Sequence, residues 1–301
     1  MSSARDYFWG MDLGGTKIEG IVTPREAIDQ PLCRLRVPTE SQEGYPHIQH
    51  QIRKLLRMMS EKVGFSCSHL AIGTPGSLHP RTGMLRNSNT TAMNGQPLKV
   101  DLEKLLEIPV TMANDANCFA LAEAVFGAGR GLDCIFGIIL GTGVGGGLVM
   151  NGKAWTGPQA IAGEWGHNQL ETDGYPCYCG KIGCVETVLS GPSLERFYEK
   201  RTGQKKKLPD IVAGRGKDPD AEATVQRLLE KFAEASSYLI NILDPDALII
   251  GGGVGNIPDL YTDKMKELLL PWMFHDEFET KILKPQLGDS AGVFGAALLL
   301  R

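Results

Sequence analysis

Two segments of the 301-residue chain repeat one plan, and this repeat constrains the fold more than any other feature. Residues 9–22, WGMDLGGTKIEGIV, and residues 136–149, FGIILGTGVGGGLV, each contain an apolar strand, a glycine turn with a threonine, and a second strand rich in small and β-branched residues. Each segment predicts a β-hairpin whose turn lacks side-chain bulk. The duplication indicates two related α/β domains, each opening with one copy of the hairpin.

The rest of the chain alternates strand and helix patterns. Apolar residues recur at helical spacing over residues 47–64, and residues 222–243 give the longest helix pattern. This rhythm predicts an α/β protein with mainly buried sheets. At this length we expect two domains around a cleft: a smaller one over residues 1–113, on which a helix at 290–301 packs back, and a larger one over 114–289.

The charge balance and the apolar segments exclude several classes of function. With a net charge of −4, the chain shows no basic surplus for nucleic acid or an anionic membrane, and the short basic run at 201–207 is interpreted as a solvated loop. The start lacks the apolar segment of a secretory signal, and no stretch approaches the roughly 20 apolar residues that span a bilayer. We therefore expect a cytoplasmic protein whose seven cysteines stay reduced.

The first glycine turn, DLGGTK, offers groups that suit a phosphate. Gly14 and Gly15 allow backbone N–H groups to approach an anion, while Thr16 adds a hydroxyl and Lys17 a positive charge. Asp12 could hold a hydrated Mg²⁺, which keeps its waters and takes few carboxylates. The alternative is a tight hairpin turn whose glycines are needed for positive φ.

Two further glycine runs follow predicted strands. GTGVGGG begins at Gly141 and is followed by a hairpin rather than a helix, so a dinucleotide-binding loop is disfavoured. The run that begins at Gly251 offers flat backbone against which an adenine or a ribose could lie. Three glycine runs at strand ends together favour a phosphate-bearing nucleotide.

Polar residues mark another strand end, in ANDANC. Asn114 and Asp115 stand where a strand meets a helix, a position that faces the ligand crevice in α/β sheets. A carboxylate there could act as a general base on a hydroxyl. The alternative is an ordinary helix N-cap.

Three cysteines and a histidine form the most specific pattern in the chain. Cys177, Cys179 and Cys184 follow His167 closely, and a Cys₃His set is typical of structural, tetrahedral zinc. Free thiols or a redox pair are the alternatives. The metal would hold the imidazole beside Glu164 and Glu186, and such a grouping suits a polyhydroxy ligand, meaning a sugar.

With these motifs in view, the chain resembles the sugar kinases of the ROK family, which have the actin-like ATPase (ribonuclease H-like) fold. DLGGTK, GTPGSL, ANDANC, LGTGVGGG, GEWGH, CYCGKIGCVE and IIGGG carry the resemblance over nearly the whole chain. NSNTTAMNGQPL, GEWGHN and NILDPD look most like bacterial fructokinases of the mannokinase–fructokinase type. One departure is the short insert NQLETDGYP, where such members often have a longer acidic loop, which leaves the choice of sugar and the oligomer contacts less secure.

The resemblance implies an enzyme that transfers a phosphoryl group from ATP, with Mg²⁺ and a structural Zn²⁺, to the 6-hydroxyl of a hexose. Fructose is the expected hexose, with N-acetylglucosamine, mannose or glucose as alternatives, and a homodimer is expected. Asp115 is the implied base. The implied sugar-binding residues are Asn89, Asn114, Asp115, Glu164, His167 and Glu186. The implied phosphate and nucleotide residues are Asp12, Gly14, Gly15, Thr16, Lys17, Gly141, Thr142, Gly143, Gly251 and Gly252. The implied zinc ligands are His167, Cys177, Cys179 and Cys184.

The family also contains sugar-responsive repressors, which place a helix-turn-helix domain ahead of the first glycine turn. Only eleven residues precede Asp12, so we expect an enzyme rather than a repressor. A sugar-binding protein without catalysis would be expected to lack Asp115 or the glycine runs, and both are present.

Overall fold

The computed structural model describes residues 6–301, which divide into two compact units. Unit 1 contains residues 6–127, 153–162 and 287–301, and unit 2 contains residues 128–152 and 163–286.

The strands form in the predicted rhythm. In chain order they are β1 Tyr7–Leu13, β2 Lys17–Pro24, β3 Cys33–Pro38, β4 Leu70–Thr74, β5 Ser77–Leu78, β6 Leu85–Arg86, β7 Val110–Asn114, β8 Cys134–Leu140, β9 Val144–Met150, β10 Lys153–Trp155, β11 Ala247–Gly251 and β12 Lys281–Leu283. The helices are α1 Tyr45–Val63, α2 Leu98–Leu106, α3 Asp115–Val125, α4 Val185–Leu189, α5 Gly191–Thr202, α6 Leu208–Ala213, α7 Pro219–Leu243, α8 Gly252–Gly255, α9 Asp263–Leu269 and α10 Ala291–Leu298. Among the described residues, no helix has both the length and the apolar character that crossing a bilayer requires.

Unit 1 is built on a five-stranded sheet in the order β3-β2-β1-β4-β7. The first three strands are antiparallel, whereas β1, β4 and β7 are parallel to one another. Helix α10 packs against α3, β1 and β4, so the C-terminal helix lies in this unit. Because α3 packs with α10, it also lies in unit 1, and the division falls after Gly127 instead of at the expected position, residue 113.

Unit 2 contains the second predicted hairpin. Its strands follow the order β9-β8-β11-β12, with β8 and β9 antiparallel and the other pairs parallel. Both copies of the duplicated segment therefore form antiparallel hairpins, in agreement with the sequence analysis. The buried face of α7 fills the core of this unit, and the indole of Trp165 donates a hydrogen bond of 3.0 Å to the carbonyl of Ala235 in α7. This contact fixes the short 3₁₀ helix Glu164–His167 against the core.

Candidate active site and metal centre

The parallel strands of unit 1 bring two of the predicted carboxylates to one edge of the sheet. Asp12 in β1 pairs with Gly73 in β4, and Gly73 pairs with Ala113 in β7. Asp115 follows two residues after Ala113, at the start of α3. Both side chains thus stand at the carboxyl ends of parallel strands with one strand between them, which is where α/β sheets bind ligands.

The N-cap of α3 is Asn114 rather than Asp115. The side-chain oxygen of Asn114 accepts a hydrogen bond from the N–H of Ala116 at 2.8 Å, and its amide donates to the carbonyl of Gly76 at 3.2 Å. An N-cap of this kind satisfies one of the open N–H groups of the first turn. Asp115 is the first helical residue, is half-buried, and also accepts from the Ala116 N–H at 2.8 Å. Asn114 therefore fixes the backbone that carries Asp115.

Asp12 is a carboxylate whose ionised form is disfavoured. Burial raises its pKa to about 6, the charge of Glu19 adds to this effect, and Lys17 opposes it. A cation bound nearby would stabilise the ionised form of a carboxylate in this environment. The donor set therefore fits the expected role of Asp12 toward Mg²⁺.

The first glycine turn is held by backbone contacts. The N–H of Gly14 donates to the carbonyl of Lys17 at 3.0 Å, and the hydroxyl of Thr39 donates to the carbonyl of Gly14 at 2.6 Å. Neither Gly14 nor Gly15 adopts the left-handed region, so the alternative that these glycines serve a positive-φ turn is wrong. Thr16 and Lys17 are exposed, as groups that meet an anion must be.

Asn89 is exposed, between the buried residues Ser88 and Thr90 on a loop of unit 1 near this turn. The hydroxyl of its neighbour Thr90 lies 3.3 Å from the position of a Cβ on Gly15, and contacts Asn89 Oδ1 at 3.5 Å. Contact with the Thr90 side chain therefore disfavours a bulkier residue at position 15.

The second glycine turn, residues 141–143, is held from the side by Glu186. Glu186 Oε2 accepts a hydrogen bond from the N–H of Val144 at 3.0 Å. The same oxygen lies 2.7 Å from where a Cβ on Gly143 would be, so a side chain at position 143 would displace the Glu186 carboxylate. The N–H of Gly191 donates to the carbonyl of Gly141 at 2.8 Å, which ties the turn to the start of α5.

A pocket of about 790 Å³ opens beside this turn within unit 2. Its size is within the range that encloses a nucleoside. Gly141 and Thr142 line it, and the third glycine run contributes Gly253 rather than Gly251 or Gly252. Gly251 is buried at the end of β11. Gly252 has φ +84°, and a Cβ there would lie 2.2 Å from the carbonyl oxygen of Leu140, so both the backbone conformation and the packing favour glycine.

Most of the pocket wall was not predicted from the sequence. Its apolar part includes Leu208, Pro209 and Val212 of α6 together with Val254 and Ile257. These are ordinary apolar residues from separate segments, and no local pattern distinguishes them from core residues.

Lys207, which the sequence analysis placed in a solvated loop, also lines the pocket. Its ammonium donates to Glu195 Oε2 at 3.0 Å, while Glu195 Oε1 accepts from the N–H of Leu208 at 3.0 Å. Glu195 therefore holds the start of α6 against the pocket.

The predicted Cys₃His set forms a single cluster. One ligand atom from each of His167, Cys177, Cys179 and Cys184 lies within 4.8 Å of the other three. The sulfurs of Cys179 and Cys184 are 3.6 Å apart, and Cys177 Sγ is 3.5 Å from His167 Nδ1. Zn–S bonds of about 2.3 Å in a tetrahedron require ligand separations of about 3.7 Å. The cluster therefore fits a tetrahedral zinc ion bound through Nδ1 of the histidine.

A compact turn places the three sulfurs. Isolated β-bridges join Gln169 to Cys184 and Pro176 to Ile182, which brings the two ends of the turn together. Gly183 has φ +68°, and a Cβ there would lie 1.7 Å from the carbonyl oxygen of Glu171. The glycine is therefore required for the last cysteine to reach the cluster.

The second nitrogen of His167 faces polar groups. Nε2 lies 3.0 Å from the hydroxyl of Tyr178 and 3.9 Å from Glu164 Oε2. Burial raises the pKa of Glu164, His167 lowers it, and the charge of Glu186 raises it. The structure thus groups His167, Glu164 and Glu186 within unit 2. Tyr178, which was not predicted, lies between two cysteines of the motif, and that position was its only signal.

The whole chain is similar to known proteins. The sequence profile of the ROK family matches residues 8–301. N-acetyl-D-glucosamine kinase from Aliivibrio salmonicida is 36% identical over 306 residues, which cover 97% of this chain and 99% of the relative. The crystal structure of a ROK hexokinase from Thermus thermophilus superposes with a TM-score of 0.87 at 30% identity, covering 97% of each chain. A ROK family glucokinase from Streptomyces griseus, solved with glucose and AMPPNP, gives a TM-score of 0.76 at 30% identity over 97% of this chain and 98% of its own.

Proposed function

The chain belongs to the ROK family and has its actin-like ATPase fold, and from this premise we propose that it is an ATP-dependent kinase of N-acetyl-D-glucosamine. A sugar kinase that uses ATP on a hexose is the part that the comparisons support. The choice of hexose is our proposal, with the 6-hydroxyl as the acceptor.

The observation that carries the choice of hexose is the identity of 36% over 97% of the chain to an N-acetyl-D-glucosamine kinase. A few short sequence motifs had indicated fructose. Neither that relative nor the two solved structures named above is a fructokinase, so fructose is not supported. An alignment along the whole chain includes more of the residues that surround the sugar than a few short motifs do.

In unit 1, we assign Asp115 the role of general base, which takes the proton of the attacking hydroxyl. Asn114 supports it through the N-cap and is a candidate sugar contact, as is Asn89. Asp12 and the turn from Gly14 to Lys17 are assigned to the phosphates, where Mg²⁺ supplies neutralisation of negative charge.

In unit 2, we assign Glu164, His167 and Glu186 to the sugar hydroxyls. The turn at residues 141–143 is assigned to phosphate, and the adjoining pocket to the adenosine. Zn²⁺ held by His167 and the three cysteines would be structural and would supply no chemistry, because all four positions of a tetrahedron are protein ligands. A homodimer remains a prediction, which light scattering after gel filtration can test.

The deciding experiment is a coupled ADP-release assay with Mg²⁺ and a panel of N-acetylglucosamine, N-acetylmannosamine, glucose, mannose and fructose. We expect the highest kcat/KM for N-acetylglucosamine. A higher kcat/KM for fructose would overturn the choice of hexose, and ADP release with none of the sugars would overturn the proposed kinase.

A further inference from the structure

We propose that Glu186 is a positioning residue for the second glycine turn, so that one carboxylate couples hexose binding to nucleotide binding within unit 2. The inference rests on the proposed function, because it needs the turn at residues 141–143 to meet the nucleotide. It differs from a sugar contact alone, since it gives Glu186 a measurable effect on nucleotide affinity when no sugar is present.

The first observation is the contact itself. Glu186 is the second residue of α4, directly after the short turn that ends at Cys184. Its Oε2 accepts the N–H of Val144 at 3.0 Å and occupies the space next to Gly143, where a Cβ would come within 2.7 Å. A hydrogen bond from a backbone N–H to a charged acceptor is among the stronger ones in proteins.

The second observation is that the same stretch of chain holds the other end of the turn. Gly191 N–H donates to the carbonyl of Gly141, and Ser190 N–H donates back to the carbonyl of Glu186. The segment from Glu186 to Gly191 therefore forms hydrogen bonds with both ends of the turn. None of the other contacts of the turn reported above involves a charged side chain, so Glu186 is the charged group that contacts the turn directly and can respond to a bound sugar.

Coupling follows from these contacts. A sugar hydroxyl bound to Glu186 would restrict its carboxylate, and the carboxylate in turn restricts Val144 and Gly143. Nucleotide would then bind a turn that is already ordered and lose less conformational entropy. Linkage requires the reverse effect to be of the same size, so nucleotide must also tighten hexose binding.

The test measures binding rather than turnover. The dissociation constant of AMPPNP with Mg²⁺ is determined by calorimetry, without sugar, for the wild type, Glu186→Gln and Glu186→Ala. We expect Glu186→Ala to weaken AMPPNP about tenfold, as the loss of one charged hydrogen bond predicts, and Glu186→Gln to weaken it less because an acceptor oxygen remains. Unchanged AMPPNP affinity in Glu186→Ala, with only hexose affinity lost, would overturn the proposal.

Asp246→Ala is the matched control for Glu186→Ala. Asp246 Oδ2 accepts the N–H of Cys134 at 2.8 Å, at the opposite end of β8, so its loss should leave AMPPNP affinity unchanged. A control that weakened AMPPNP as much as Glu186→Ala would also count against the proposal, since the effect would then be general to the hairpin.

A reciprocal variant covers the case in which Glu186→Ala does not fold. Gly143→Ala displaces the Glu186 carboxylate from the turn side, and we expect it to weaken N-acetylglucosamine binding measured without nucleotide. Unchanged hexose binding would contradict the coupling. A wild type that binds AMPPNP but phosphorylates no hexose would refute the proposed function alone, because the comparison of AMPPNP affinities does not use turnover.

Discussion

The carboxylate of Asp12 lies against the backbone of Gly292. A Cβ on Gly292 would come within 2.8 Å of Asp12 Oδ2 and 3.0 Å of its carboxyl carbon. Gly292 is the second residue of α10, and Asp12 stands near the end of β1. A helix near the C-terminal end of the chain thus limits where the carboxylate at the end of the first strand can stand.

Gly292→Ala should therefore impair the enzyme with little loss of fold. The atoms in the way belong to the end of the flexible Asp12 side chain and not to the backbone, so the carboxylate can move aside with little loss of stability. We expect the KM for MgATP to rise about tenfold, because the displaced Asp12 carboxylate would hold Mg²⁺ less well; a tenfold rise corresponds to roughly 1.4 kcal/mol of binding free energy. The Tm should stay near that of the wild type. Gly295→Ala is the contrast, since its Cβ would lie 1.8 Å from the carbonyl of Cys118, and it should lower the Tm. An unchanged dependence on Mg²⁺ and ATP in Gly292→Ala would contradict the role of the contact.

Asp12 should make stability depend on pH. Its folded pKa of about 6 is above the ordinary value of 3.8. Above pH 6 the Asp12 carboxylate is ionised in both states, and burial of its charge lowers the stability of the folded state. As the pH falls from 6 toward 3.8, the folded state takes up the proton before the unfolded state does, so this loss of stability disappears. We expect Asp12→Asn to raise the free energy of unfolding at pH 7.5 by up to about 3 kcal/mol without Mg²⁺. The gain should shrink below pH 5 in urea titrations; an equal gain at pH 7.5 and 4.5 would show that the charge is not its cause.

Asp115→Asn should separate catalysis from binding. Loss of a general base lowers kcat by about 10²- to 10⁴-fold. Because the N-cap of α3 is Asn114, the helix start should survive the change. We expect hexose affinity within a few-fold of the wild type by calorimetry and turnover close to background. Near-wild-type turnover would eliminate Asp115 as the base.

The Cys/His cluster predicts one zinc per chain by elemental analysis. Cys184→Ser should lose zinc, lower the Tm and weaken hexose binding, because α4, which carries Glu186, begins directly after Cys184. Cys134→Ser, a half-buried cysteine outside the cluster, should keep its zinc. A folded, active wild-type preparation without zinc would refute the metal centre.

Ala160 is a strained residue, with φ +55°. The left-handed region costs a residue with a Cβ about 1–2 kcal/mol, which glycine avoids. We expect Ala160→Gly to raise the free energy of unfolding by up to about 1 kcal/mol. The greater conformational entropy of glycine in the unfolded chain reduces this gain. Ala162→Gly, nearby and outside the positive-φ set, should give no gain. Equal effects of the two variants in urea unfolding would contradict the strain.

The sequence alone predicted the features that depend on neighbouring residues. The repeated glycine pattern predicted both hairpins, and the helical spacing of 47–64 predicted α1 to within two residues at its start. The spacing from His167 to Cys184 was short enough to predict a cluster, since closing a small loop costs little entropy. In each case the partners lie close in the chain, so the local pattern contains the information.

Only the tertiary structure decided which distant residues meet. The pocket wall joins residues near positions 141, 191, 208 and 254, and nothing local distinguishes its apolar members, such as Leu208 and Val254, from residues of the core. The sequence did not show that the Glu186 carboxylate lies against Gly143, or that the Asp12 carboxylate lies against Gly292. Steric exclusion between segments far apart in sequence depends on how the sheets and helices pack, and that packing is a property of the whole unit and not of any one stretch of it.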